Sequence, residues 1–350
     1  MTSKYYFLLT IIIGSACHNI QRSEVESTAP IINTIAFGSC SHQDNPEQLW
    51  TEITKAQPDL LILGGDNIYG DTHDMTLMKA RYDKQKSRPE YQNLLNTVPV
   101  IGIWDDHDYG MNDGGKHFSK KDSSKWLMLD FLDVPADNPV WRREGAYNAY
   151  SYGPKNKKIK VILLDTRYFR DTLSADTLTS ARYLPNKDGD LLGEKQWQWL
   201  EYELTDSDAD MHILVSGIQV IAAQHDFEKW SNFPQSRERL FKLLVKTHPA
   251  NTLILSGDRH IAEISKIDLE GLPYPLYDLT SSGLTHTWSE VWPEENKYRV
   301  GEMVIKRNYG LVQINWQQSS PGIVFQVKGH NDSTFLEHHI SFDKAHAEAN

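Results

Sequence analysis

Short aliphatic and β-branched runs alternate with stretches of helical spacing through the first three quarters of the chain. Residues 31–37 form an apolar run of strand length that stops at Gly38-Ser39-Cys40. Residues 60–63 stop at Gly64-Gly65-Asp66, 98–104 run into Asp105-Asp106-His107-Asp108, and 252–255 end in Ser256-Gly257-Asp258-Arg259-His260. Residues 147–152, 159–164 and 212–215 read as further strands. Between them, 46–56 puts Leu49, Trp50 and Ile53 on one side of a helix, and 126–132, 193–204 and 236–247 are also helical, the last with Leu240, Phe241, Leu243 and Leu244. Residues 74–96 are polar and helix-prone, which predicts a surface insertion. From 261 to 342, short strands alternate with turns punctuated by Pro273, Gly283, Gly310 and Gly322. Strand-helix alternation followed by antiparallel-looking strands predicts a mixed α/β domain over 31–342, with a two-sheet core flanked by helices.

The first residues depart from this pattern. Lys4 precedes an apolar run over 5–13, then Gly14-Ser15-Ala16 and Cys17. The run is too short to span a bilayer and reads as a secretory signal over 1–16. A cysteine directly after small residues suggests lipidation at Cys17, with 17–30 as a polar tether and a periplasmic or cell-surface location. Ordinary signal cleavage or an uncleaved anchor are the alternatives. Residues 343–350 read as a frayed tail. The composition, with 39% hydrophobic and 24% charged residues, is that of a globular protein. A net charge of −11 argues weakly against a nucleic-acid binder, which usually carries a basic face. With Cys17 lipidated, Cys40 has no disulfide partner, so burial or metal ligation must explain it.

Ligands of open α/β sheets bind beyond the carboxyl ends of strands, and four predicted strands end there in polar clusters, three of them containing glycine. Carboxylates, an imidazole and a thiol converging on one place suit a binuclear metal centre with Asp66 as bridge. Singly, each cluster has a plain explanation as an acidic turn or helix cap. Three acidic groups in four residues directly after a buried strand repel unless a cation neutralises them, which favours metal at 105–108.

In order, Gly38-Ser39-Cys40, Gly65-Asp66-Asn67-Ile68-Tyr69, Trp104-Asp105-Asp106-His107 and Gly257-Asp258-Arg259-His260 resemble the motifs of the alkaline phosphatase D family of calcineurin-like metallophosphoesterases. Leu164-Asp165-Thr166-Arg167 and Ser281-Ser282-Gly283 also resemble family segments. The resemblance implies a four-layer αββα sandwich. It implies a ferric ion on Cys40, Tyr69, Asp258 and His260, bridged by Asp66 to one or two Ca²⁺ ions served by Asp105 and Asp106; Zn²⁺, Mn²⁺ and Mg²⁺ stay open. His107 would assist the leaving oxygen, and Arg259 and Arg167 would hold phosphate oxygens, although Arg167 also reads as a surface ion-pair partner. Departures from the pattern are Gly70 after Tyr69, Asp108 in place of a Glu, and a middle ligand open between Gln219 and His225. His286, after a glycine turn, is a lesser candidate for the pocket.

The expected function is therefore hydrolysis of small-molecule phosphate mono- or diesters by a metal-bound hydroxide, without a covalent intermediate. A silent, metal-stabilised surface lipoprotein that binds glycans or phosphorylated ligands is the rival, and an unprocessed cytoplasmic protein a third reading.

Overall fold

The structure is a computed structural model that describes residues 30–178, 182–290, 294–317 and 320–342. The signal at 1–16, all but the last residue of the tether at 17–30, and the tail at 343–350 lie outside the described residues. No helix among the described residues is long and apolar enough to cross a membrane.

The first part of the chain forms β1 (Thr34–Gly38), α1 (Trp50–Ala56), β2 (Leu60–Gly64), α2 (Met75–Lys86), α3 (Pro89–Leu95), β3 (Val100–Ile103), α4 (Asp106–Tyr109) and α5 (Lys121–Phe131). The middle adds β4 (Asn148–Tyr152), β5 (Ile159–Leu163), β6 (Ser174–Ala175), β7 (Tyr183–Leu184), α6 (Gly193–Leu204), β8 (Met211–Ser216), α7 (Pro234–Thr247) and β9 (Thr252–Ser256). The last part is β10 (Ala262–Ile267), β11 (Leu276–Ser281), β12 (Arg299–Val304), β13 (Tyr309–Asn315), β14 (Gly322–Lys328) and β15 (Thr334–Ile340).

These strands make two mixed sheets, ordered β15-β14-β13-β1-β2-β3 and β12-β10-β11-β9-β8-β5-β4, with β6 and β7 paired separately. One cluster of buried side chains runs through both sheets, the α/β sandwich that the alternation predicts. Strands buried on both faces suit parallel pairing, and β2, β8, β9 and β11 bury every residue. In the first sheet β1, β2 and β3 run parallel; in the second, β5, β8, β9 and β11 do. Their ends are level. Gly38 pairs with Leu63 and Gly64 with Ile103, while Ser256 lies between Ser216 and Thr280. The loops that follow these strands therefore emerge side by side. The two sheets meet at this end, where a Cβ on Gly257 would come within 2.7 Å of both the Gly64 carbonyl and Ser39 Oγ.

Three sequence expectations need correction. Segment 74–96 is not a surface insertion: α2 and α3 bury Met78, Tyr82, Gln85, Tyr91 and Leu94. Tyr91 stacks on Phe131 of α5, with centroids 5.6 Å apart, and Trp50 of α1 packs 4.9 Å from Tyr91. The segment breaks before Pro89, which disfavours helical backbone at Arg88. The helix expected over 46–56 starts only at Trp50, and in the loop before it His42 and Gln43 contact Tyr69. The helix expected to start at 126 starts at Lys121, five residues earlier, on a polar first turn that carries no apolar periodicity.

Candidate metal centre

Five of the parallel strands deliver side chains to the same place. Cys40 follows β1; Asp66 and Tyr69 follow β2; Asp105, Asp106 and His107 follow β3; Arg167 follows β5; Asp258 and His260 follow β9. Three overlapping groups of ligand atoms result, namely Cys40, Asp66 and His260; Asp66, Asp106 and His107; and Asp66, Asp105, Asp106 and Asp258. Within each group the atoms lie within 4.8 Å of one another. Asp66 belongs to all three, the position expected of a bridge. Its Oδ2 lies 3.4 Å from Cys40 Sγ, and Tyr69 OH lies 3.0 Å from His260 Nε2.

The backbone is bent to achieve this. Cys40, Asp66, Asp258 and His260 have φ of 62°, 51°, 69° and 54°. Left-handed backbone at a non-glycine residue costs about 1 kcal/mol or more, and such strain concentrates at functional sites. Gly65, at φ 102°, packs so tightly that a Cβ would fall 2.5 Å from Asp105 Cβ. Asp108 ties the second and third loops together. Its carboxylate accepts from the backbone N–H of Asp105 at 2.7 Å, and of Asp66 and Asn67 at 3.2 Å each. It also accepts from Asn67 Nδ2 at 2.6 Å. The Glu-to-Asp departure at this position thus serves a loop clamp.

The protein alone leaves this cluster electrostatically frustrated. Burial pushes the Asp66 carboxyl well above its ordinary range, and Cys40, Asp106 and Asp105 push it further. Burial raises Asp258 likewise, with Asp105 and Asp106 adding to it. Asp105 is raised to about 7 by burial, offset in part by Arg167. Asp106 goes the other way, to about 2, because Arg167 and His107 outweigh its burial. Burial drives the Cys40 thiol up to about 12 and the His260 imidazole down to about 3. A bound cation inverts this logic, since it favours every carboxylate, thiolate and neutral imidazole at once. One oxygen shows the fit directly: Asp105 Oδ2 is buried without any hydrogen-bond partner, although its twin accepts from Arg167 Nε at 2.7 Å. Buried polar atoms are almost always paired, so this free oxygen suits an ion.

Other side chains fall differently from expectation. Arg167 is neither on the surface nor open to substrate: it is fully buried and bonded to Asp105 and Glu228. Arg259 is also buried, with Nη2 on Glu294 at 2.5 Å. Each guanidinium spends nitrogen donors on carboxylates of the chain, while Arg167 Nη2 and Arg259 Nε are buried without a partner. Neither residue considered for the middle ligand enters the donor groups. Gln219 donates to Glu263 and Thr280, and His225 is buried with both ring nitrogens unpartnered. In contrast, His286 does line the site, with Nε2 3.2 Å from Tyr69 OH. Sequence reasoning passed over Asp71, whose carboxylate takes His107 Nδ1 at 2.8 Å. It lies two residues beyond Tyr69, one past the position where the family pattern carries an acid. Glu228 was also missed, since a lone acid in a loop gives no signal.

A two-sheet α/β sandwich that gathers acidic, imidazole and thiol donors at the ends of its parallel strands has the architecture of a metal-dependent phosphoesterase. The chain belongs to the PhoD-like phosphatase family, whose model matches residues 35–292. It is 24% identical over 289 residues to alkaline phosphatase D of Bacillus subtilis, covering 68% of this chain and 47% of the relative. The chain thus spans about half the length of that curated relative. Among solved structures, that of PhoD superposes with a TM-score of 0.75 at 19% identity, covering 91% of this chain and 72% of the other. The Plasmodium inner-membrane-complex anchor GAP50 follows the same fold, with a TM-score of 0.55, 14% identity and 90% of each chain covered.

Proposed function

We propose that the chain hydrolyses phosphate mono- or diesters outside the cytoplasm, at a multinuclear metal centre held by Cys40, Asp66, Tyr69, Asp105, Asp106, Asp258 and His260. The convergence of buried donors from separate loops on Asp66 carries this reading. The thiol, phenol and imidazole around Asp66 suit a ferric ion, and the carboxylate set of Asp105 and Asp106 suits Ca²⁺ or another hard divalent ion. When bound, such cations clamp a phosphoryl group and acidify the attacking water.

The chain's own residues then orient and protonate. Asp71 holds Nδ1 of His107, which leaves Nε2 as the nitrogen that protonates the leaving oxygen. The same pairing helps to keep the imidazole charged: burial opposes the proton, but Asp71 and Asp106 outweigh it and raise the pKa to about 9. Arg259 supplies positive charge beside Asp258, with Nη2 on Glu294 and Nε left for a phosphate oxygen. The membership of an alkaline phosphatase family, the apolar run at 5–13 and Cys17 support export and lipid anchoring. The test is turnover of 4-nitrophenyl phosphate and bis(4-nitrophenyl) phosphate by the purified protein, before and after chelation. Chelator-sensitive hydrolysis is expected. A metal-loaded protein inert on a broad ester panel would instead be a ligand-binding protein.

A further inference from the structure

Behind the donor cluster lies a second, fully buried set of charges that no role so far accounts for. Arg167 donates through Nε to Asp105 Oδ1 at 2.7 Å and through Nη1 to Glu228 Oε2 at 2.5 Å. Glu228 Oε1 faces Arg170 Nε at 3.0 Å. The side chains of Asp105 and Arg167 are 0% exposed, and those of Glu228 and Arg170 are 1% exposed. Burying two guanidinium groups and two carboxylates costs several kcal/mol per ion before mutual attraction offsets it, and well-packed apolar residues would stabilise the fold as well. A purely structural account therefore leaves the chain of charges unexplained. Its geometry supplies a reason. Glu228, in the loop after β8, accepts from Arg167 Nη1 with one oxygen, and Arg170, beyond β5, faces its other oxygen. Arg167 is further pinned by its own N–H, which donates to Asp165 Oδ1 at 2.9 Å. On the opposite side Gly217 leaves Asp105 just enough room, since a Cβ there would overlap Asp105 Oδ1. The carboxylate of Asp105 is thereby locked in one orientation, with Oδ1 spent on Arg167 and Oδ2 unpartnered.

We infer that Glu228 is a positioning residue of the metal centre: acting through Arg167, it holds Asp105 as a one-oxygen ligand for a hard divalent cation. The inference rests on the metal-centre reading above. Residues behind a metal ligand typically change metal affinity about ten- to a hundredfold when lost. The test is a double-mutant cycle on the full-length protein, with Mn²⁺ as the probe ion and free Mn²⁺ followed by electron paramagnetic resonance. Glu228→Gln should weaken Mn²⁺ binding about tenfold or more in the otherwise native chain, and by less than about twofold in an Asp105→Asn background. Activity of Glu228→Gln should return at saturating Mn²⁺. A folded Glu228→Gln protein with native Mn²⁺ affinity would overturn the inference, as would equal losses in both backgrounds. Native affinity in Asp105→Asn would overturn it too, and would show that the metal reading fails at this residue. Should Glu228→Gln not fold, Glu228→Asp keeps the buried charge, withdraws it from Arg167, and must show the same coupling.

Discussion

His107 and Asp105 are each held by a neighbour that lies outside the donor groups. Asp71 fixes the imidazole of His107 from an exposed turn, so Asp71→Asn should leave the fold intact. It should lower kcat on alkyl phosphate esters by about a hundredfold, the usual scale for general acid catalysis, and spare 4-nitrophenyl esters, whose leaving group needs little protonation. Parallel kcat measurements on the two ester types decide this, and equal losses on both would remove His107 from the acid role. Gly217→Ala tests the space around Asp105. With a Cβ pressed into Oδ1, the variant should fold but bind less metal, which metal analysis on the purified protein reads directly.

At the scale of elements, the strands that end in chemistry were the most legible part. Their apolar runs are short and continuous, and the carboxyl end of each lies within one residue of its expected place. The helices over 74–96 were legible as helices but not as core. Their surface is mostly Lys, Arg, Asp and Gln, and the few buried side chains give no strong apolar face. Met78 sits fully buried against Gly70 and Gly110 beside the His107 loop. Met78→Ala should therefore destabilise by about 2–5 kcal/mol in urea unfolding, where a surface position would change stability by about 0.5 kcal/mol at most. Strand β8 carries an acid-sensitive element of its own. His212 is fully buried, its Nδ1 2.9 Å from the Ala250 carbonyl and its Nε2 2.8 Å from Ser207 Oγ. Burial lowers its pKa below the ordinary 6.5, so on acidification the unfolded chain takes up a proton before the folded one does. Its stabilisation is complete above pH 6.5 and is lost as pH falls from there towards the folded value. Unfolding free energies measured across that range should fall more steeply for the native chain than for His212→Gln.

For the whole molecule, residues scattered from Cys40 to His260 become one site because parallel strands in two sheets end level. Order and type of the motif residues were readable in the chain; which side chains support them was not. Asp71, Asp108, Asp165 and Glu228 act through geometry that spans loops, and a single acid in a loop looks the same whether it clamps a catalytic group or faces water. The committed state of Arg167 was hidden for the same reason, since its partner Glu228 lies 61 positions away. At the amino terminus, intact-mass analysis of the protein made in its own cell envelope should find a diacylglycerol-bearing Cys17 as first residue; an unprocessed Met1 would remove the proposed lipid anchor at Cys17. The most direct measurement of the central claim is metal content per chain, by plasma mass spectrometry, for the native protein and Asp66→Asn together with their turnover. The account expects about two or more metal ions per native chain, and loss of both bridging metal and turnover in Asp66→Asn. Full turnover in a metal-free native protein, or unchanged metal content and turnover in Asp66→Asn, would contradict it.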